Sequence, residues 1–314
     1  MQTSFVGTET QKLLSTFLSG RNQNTLHAYQ ADLEDFSCYL KLPNAITAIS
    51  SLLNLSQGQA NHLVLDYRNH LSEDGLQSST VNRRLSSIRA VIKLARMTGM
   101  IAWALEVPNI KSQSYRDTRG VGTNGIDALL NLLEQRNDLR ALRDIAIIRL
   151  FFDVGLRVSE ATNLDLPDLD LQNHTIEILG KGRTQREKLT IPDGTIEALK
   201  AWLAVRPNHD NPAVFLNFDR AKKGTGRITR FGVYKVIRLL GADLNLKTRP
   251  HGIRHDAVNA AIREAQANGI ELPSVLQFSR HRHLTTLQVY IDAITNRQGE
   301  LATLVSGSVG KKGR

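Results

Sequence analysis

One cysteine, Cys38, stands in 314 residues, so no disulfide can form within the chain, which reads as a protein of a reducing, cytoplasmic compartment. No apolar run approaches the roughly 18 residues a membrane span needs, so no membrane partner is expected. The first residues, MQTSFVGTETQK, lack a basic start followed by an apolar stretch and are not expected to act as a signal peptide. Neither an internal repeat nor a heptad run is present. Hydrophobic residues at 41% and charged residues at 22% exclude wholesale disorder and collagen-like repeats. At roughly 150 residues per domain, the length suggests two domains, each able to bury a core without covalent staples.

Acidic residues are also in short supply. Thirty Asp+Glu face 40 Lys+Arg, leaving +10. Residues 1–111 hold 10 basic and 8 acidic residues, so most of the surplus lies in the C-terminal two thirds. Such a field favours a polyanion, most simply nucleic acid; a basic protein that binds none is the alternative.

The first third reads as helices. Between Thr25 and Leu40, Leu26, Tyr29, Leu33, Phe36 and Leu40 keep the spacing of one helical face. Ser56 followed by Gln59 predicts a capping box opening a helix to about Ser72. From Ser79 to Thr98, Val81, Leu85, Ile88, Ile92 and Ala95 form one stripe, with Gly99 as a stop. The other face carries Arg83, Arg84, Arg89, Lys93 and Arg96, either a solvated face or a set of phosphate contacts. Pro108–Thr123 has no periodicity and reads as a linker. Helices are expected over 126–133 and 142–154, the latter apolar nearly all round and broken at Gly155. Short β-prone runs at 174–179 and 188–191 flank Gly180-Lys181-Gly182-Arg183, which predicts a hairpin with a basic tip. Further helices are expected at 195–205, 231–240, 255–266, 273–278 and 284–291, before a disordered GSVGKKGR tail.

Several of these residues suit chemistry on a phosphate. Arg157, Lys181, His251, Arg254 and His281 form a set rich in donors, and arginine suits bidentate phosphate contact. Gathered by a fold, they would neutralise charge developing on phosphate oxygens; ungathered, they are surface basic residues. Tyr290, nine residues beyond His281, offers an oxygen nucleophile or else an amphipathic core residue. His251 and His255 stand four apart on one helix face, yet Gly252 occupies the place where a zinc protease has glutamate, so no metal site is expected.

Taken together, these boxes resemble the tyrosine recombinases, the integrase group that includes the two-domain, Xer-like resolvases. Gly155-Leu156-Arg157-Val158-Ser159-Glu160 is close to that family's G-L-R-x-S-E. His251-Gly252-Ile253-Arg254-His255 matches its H-x-L-R-H with Ile for Leu, and His281 with Tyr290 resembles its H…T-x-x-x-Y ending. Gly180-Lys181-Gly182 resembles its β-hairpin lysine, and Ser79–Leu85 its helical core-binding domain. One departure stands out: Ser279-Arg280-His281 replaces the usual Leu-Gly-His, and Arg280 there is expected to add a phosphate contact or point to solvent.

The resemblance implies a mainly α fold with a small β-sheet: a helical core-binding domain over 1–111, a linker over 112–123, a mixed α+β catalytic domain over 124–296, and a C-terminal segment over 297–314 that docks on a neighbouring protomer. It implies that Tyr290 attacks a scissile DNA phosphate to give a 3′-phosphotyrosyl link, without metal or cofactor. Arg157 and Arg254 would clamp the phosphate with help from His251 and His281, and Lys181 would protonate the leaving 5′-oxygen. Glu160 would support the first box and His255 the second. Candidate DNA contacts are Arg83, Arg84, Arg89, Lys93, Arg183 and Arg280. The partner would be double-stranded DNA with paired inverted sites, bound by a dimer per site and a homo-tetramer per synapse on the nucleoid, with strand exchange through a Holliday junction. An accessory protein or a second recombinase is a further partner the resemblance admits. The rivals are a type IB topoisomerase-like relaxing activity and a non-catalytic DNA-binding regulator derived from an integrase.

Overall fold

The computed structural model describes all residues except 1, 21–22, 112–119, 137, 181–184, 208–209, 219–225, 282, 295–296 and 309–314. Two compact units divide the chain, Met1–Tyr115 and Arg116–Arg314. Among the described residues no helix is long and apolar enough to cross a membrane.

The first unit is helical: α1 (Gln2–Leu18), α2 (Gln23–Tyr39), α3 (Ala45–Leu53), α4 (Gln57–Glu73) and α5 (Ser78–Met97). The Ser56–Gln59 capping box opens α4, the Ser56 N–H donating to Gln59 Oε1 at 3.1 Å. On α5 the stripe from Val81 to Ala95 is buried against Leu33, Phe36, Ile49 and Tyr67. Gly99, at φ 78, then takes the left-handed conformation that ends the helix, with the Met100 N–H donating to Ala95 O at 2.9 Å.

The basic face of α5 is less open than its sequence suggests. Arg83 pairs with the buried Asp32 of α2, and Arg84 Nη1 donates to Asp35 at 2.5 Å. Arg89 reaches the Val107 carbonyl at 2.6 Å and Asn109 at 2.9 Å. Lys93 is exposed. Three of the four expected phosphate contacts on α5 therefore spend donors inside the unit, Arg83 and Arg84 on carboxylates of α2 and Arg89 on the segment that follows α5.

The second unit begins with α6 (Gly122–Arg136) and α7 (Leu139–Phe152), followed by the short α8 (Val158–Thr162) and a turn of 3₁₀ helix at Leu166–Asp168. Strands β1 (Leu169–Asp170), β2 (Thr175–Leu179) and β3 (Arg186–Thr190) form an antiparallel sheet in the order β1-β2-β3, with Ile176 opposite Leu189. Ile176 and Ile178 alternate into the core, as a half-buried strand requires. The helices α9 (Asp193–Val205), α10 (Arg230–Asp243), α11 (Pro250–Ala267), α12 (Leu272–Ser279), α13 (Leu284–Ile294) and α14 (Arg297–Ser308) complete it.

The main core of this unit centres on α7, whose Ile147, Ile148, Leu150 and Phe151 are buried with Leu129, Leu199 and Trp202. A smaller core joins α11, α12 and α13 through Val258, Ile262, Val275, Leu287 and Ile291.

Two expectations are corrected here. α11 starts at Pro250, not at His255, because proline suits the first helical turn, where its missing N–H costs nothing. Gly307 and Ser308 close α14 rather than belonging to a disordered tail, whose remaining residues lie outside those described. The hairpin tip with Lys181 and Arg183 also lies outside the described residues.

Replacing Leu85, fully buried on α5, by Ala is expected to cost about 2–5 kcal/mol, whereas Ser56→Ala at the cap of α4 should cost about 1 kcal/mol. Urea unfolding followed by circular dichroism would rank the two, and equal midpoints would contradict the assignment of Leu85 to the centre of the helical core.

Candidate active site

The first guanidinium is placed by a helix end. After α7, Gly155 adopts φ 61, a conformation costly for any residue with a Cβ, and the Leu156 N–H closes back on Leu150 O at 3.0 Å. The reversal sets Arg157 at the N-cap of α8, where Glu160 reaches back to it. The Arg157 N–H donates to Glu160 Oε2 at 2.8 Å and its Nη1 to Oε1 at 2.9 Å. Glu160 is buried, while the Arg157 side chain keeps 29% of its surface exposed.

The second guanidinium comes from α11. Arg254 is buried, and its Nη2 donates to the Ser279 carbonyl at the end of α12. Its Nη1, also buried, has no hydrogen-bond partner among the described residues. Burial, then the neighbouring Arg157 and Arg280, push its pKa down to about 9, so it stays charged at neutral pH. A buried cationic donor without an acceptor is unfavourable alone, and an anion at that position removes the penalty.

His251 and His255 face one another on α11 with ring centroids 4.1 Å apart. The Tyr290 hydroxyl lies 2.6 Å from His255 Nδ1, and the Tyr290 ring lies 5.6 Å from that of His281. Tyr290 is also a core residue, 4% exposed within the smaller cluster of α11–α13, with its hydroxyl turned to His255. Burial first, then His251, Arg249, Arg254 and His281, push the His255 pKa down to about 3. The imidazole is therefore neutral near pH 7, and in its Nε2–H tautomer Nδ1 accepts from the Tyr290 O–H.

Arg157, Glu160, Arg254, His255, His281 and Tyr290 thus belong to one constellation with His251, drawn from α8, α11, the α12–α13 connection and α13. Lys181 lies outside the described residues. His283 is exposed, outside the ring contacts that join the other three histidines to Tyr290.

Arg280 corrects its expectation. It neither points to solvent nor reaches outward as a phosphate contact: its side chain is 3% exposed and turns inward to Glu160, 2.8 Å away. The left-handed backbone at φ 53 directs it there and fills the place usual for glycine with a buried cation.

Two features escaped the sequence reading. The direct partnership of His255 with Tyr290 spans 35 positions and has no local signal. On α10, Arg230, Tyr234, Lys235 and Arg238 are exposed, a basic face legible from the i, i+4 spacing of Arg230, Tyr234 and Arg238.

Comparison with known proteins accords with this geometry. Residues 122–297 match the model described as "Phage integrase family", and residues 12–99 that described as "Phage integrase, N-terminal SAM-like domain". The chain is 34% identical over 286 residues to a tyrosine recombinase of Synechococcus elongatus, covering 89% of this chain and 88% of that relative. It is 30% identical over 293 residues to a tyrosine recombinase of Synechocystis sp., covering 91% of each. Among solved structures, the site-specific recombinase XerH in a post-cleavage complex with palindromic difH substrate matches at TM-score 0.69 and 20% identity, over 95% of this chain and 85% of that one. The Tn1549 transposon integrase in complex with transposon right-end DNA matches at TM-score 0.68 and 15% identity, over 96% and 99%. At such identities the structural likeness speaks for the fold.

Neutral burial of His255 carries a pH consequence. Below the ordinary histidine pKa of about 6.5 the unfolded chain binds a proton that the folded chain refuses until about pH 3. The contribution to stability is therefore complete above about pH 6.5 and declines as pH falls through that window. His255→Gln is expected to flatten the fall in urea midpoint between about pH 6.5 and 4; an unchanged slope would contradict the burial of a neutral imidazole.

Proposed function

Because this chain belongs to the phage integrase family, we propose that it is a site-specific DNA recombinase whose nucleophile is Tyr290. The observation that carries this reading is the Tyr290 hydroxyl held 2.6 Å from a neutral imidazole, in the same constellation as a buried arginine with a donor to spare.

In this reading Tyr290 Oη attacks a phosphodiester of duplex DNA, with His255 Nδ1 orienting the hydroxyl and the phenolic proton passing to water. The phosphorus forms a bond to the tyrosine oxygen while its bond to the 5′-oxygen breaks, leaving a 3′-phosphotyrosyl link. Lys181 delivers a proton to the departing 5′-oxygen. Arg157 and Arg254 take the non-bridging oxygens, with His251 and His281 as further donors, so charge that develops in the transition state meets donors already oriented. A new phosphodiester replaces the old one, so the linkage survives for the reverse attack by a 5′-hydroxyl from another strand.

Strand exchange proceeds through a Holliday junction in a homo-tetramer on two paired inverted sites, in the cytoplasm. The helical unit, joined to the catalytic unit across residues 112–123, adds phosphate contacts from Lys93, and α10 adds its basic face. The helix α14 exposes Leu301, Leu304 and Val305 at 60%, 70% and 63%, an apolar set unfavourable in water and suited to docking on a neighbouring protomer.

The test is a labelled supercoiled plasmid carrying the DNA that flanks the native gene, incubated in EDTA and resolved on a denaturing protein gel. Wild type is expected to give a covalent protein–DNA band that Tyr290→Phe abolishes and Arg254→Ala reduces by roughly 10²–10³-fold. An adduct persisting in the Phe variant would place the nucleophile elsewhere. Truncation after Asn296 is expected to leave DNA binding by single protomers intact and abolish the tetramer in sedimentation on paired sites; an unaffected tetramer would remove α14 from the assembly.

A further inference from the structure

We propose that Arg280 is a positioning residue, whose buried guanidinium locks Glu160, and through it the phosphate-binding Arg157, onto the corner that carries His281. The inference rests on the recombinase reading for its effect on chemistry, but not for the locking itself.

Two costs meet at Arg280. Its backbone is left-handed, at φ 53 and ψ 34, where a residue with a Cβ is disfavoured and glycine is not. Its side chain is also 3% exposed, so a charged group has been taken out of water. A helix end needing only to turn would carry glycine and incur neither.

The contacts show what the side chain does. Arg280 Nη2 donates to Glu160 Oε2 and to the Gly155 carbonyl, each at 2.8 Å. Glu160 in turn holds the Arg157 backbone and guanidinium. Arg157 Nη2 then donates to the carbonyl of Arg280 itself, at 3.4 Å. The interactions close a ring: Arg280 side chain to Glu160, Glu160 to Arg157, Arg157 to Arg280 main chain. One residue earlier, the Ser279 carbonyl accepts from Arg254. The corner at 279–280 thus touches both arginines proposed to bind the phosphate, although they lie in boxes far apart in sequence.

Arg280 Nη2 is committed to Glu160 and the Gly155 carbonyl, so the influence proposed for it passes through geometry. A carboxylate held only by Arg157 would follow that side chain as it moves. A carboxylate held from the opposite side by a fixed cation gives Arg157 a stationary partner, and a guanidinium displaced by about 1 Å can cost about 100-fold in rate.

The test uses Arg280→Gly, which suits the left-handed backbone, and Arg280→Lys, which keeps the charge. In the full-length protein without DNA, phenylglyoxal modification of Arg157 is followed by peptide mass spectrometry. Arg280→Gly is expected to raise that rate several-fold at an unchanged circular dichroism spectrum, with Arg280→Lys near wild type. An Arg157 reactivity unchanged in the Gly variant overturns the proposal, whatever the enzyme does on DNA. In single-turnover adduct formation on the flanking-DNA plasmid, Arg280→Gly should lower the maximal rate about 10- to 100-fold with DNA affinity within about twofold, and Arg280→Lys should restore most of it. A raised reactivity with no loss of rate, or a loss confined to affinity, also overturns it. A wild type that forms no adduct counts against the recombinase reading alone, since the labelling arm decides the locking independently.

Discussion

The site is organised around a shortage of negative charge. Arg157, Arg254 and Arg280 crowd round one buried carboxylate, Glu160, in a setting where like charges repel more strongly than in water. The deficit is partly met by main-chain carbonyls, those of Gly155, Ser279 and Arg280, each at or just beyond the C-terminus of a helix. Helix ends of that polarity carry partial negative charge and unsatisfied acceptors, so they suit guanidinium groups. What they leave unmet is the Nη1 donor of Arg254, and a phosphate would meet it.

The rest of the catalytic unit serves that arrangement. The buried face of α7 anchors the first box, whose arginine emerges where Gly155 turns the chain out of the helix. The second box occupies the opening turns of α11, so His251 and His255 share a face while Arg254 sits in the interior. The small core of α11, α12 and α13 sets Tyr290 against that face. Packing and chemistry are inseparable at this tyrosine: the ring is held as a core residue and the hydroxyl is spent on an imidazole that burial keeps neutral.

Much of the helical framework was legible from local pattern. The stripe on α5, the Ser56–Gln59 cap and the break at Gly155 all report interactions between residues within a few positions of one another. The start of α11 was missed because the apolar periodicity begins after the proline that initiates the helix. Helices α1 and α3 escaped notice because their stability lies in burial against other elements. The ion pairs of Arg83 and Arg84 have no local signal for the same reason, since Asp32 and Asp35 lie on another helix about fifty residues earlier.

The residue types of the site, and the ordered boxes holding Arg157, Arg254, His281 and Tyr290, were determined by the sequence alone, because spacing within a box is a local property. Tertiary structure decided the pairings between boxes: which imidazole meets Tyr290, which carbonyl holds Arg254, and where the Arg280 side chain goes. The last case shows the physical reason. By local criteria an arginine in the place of a turn glycine belongs at the surface, and only folding brings Glu160, 120 positions earlier, close enough to draw it inside.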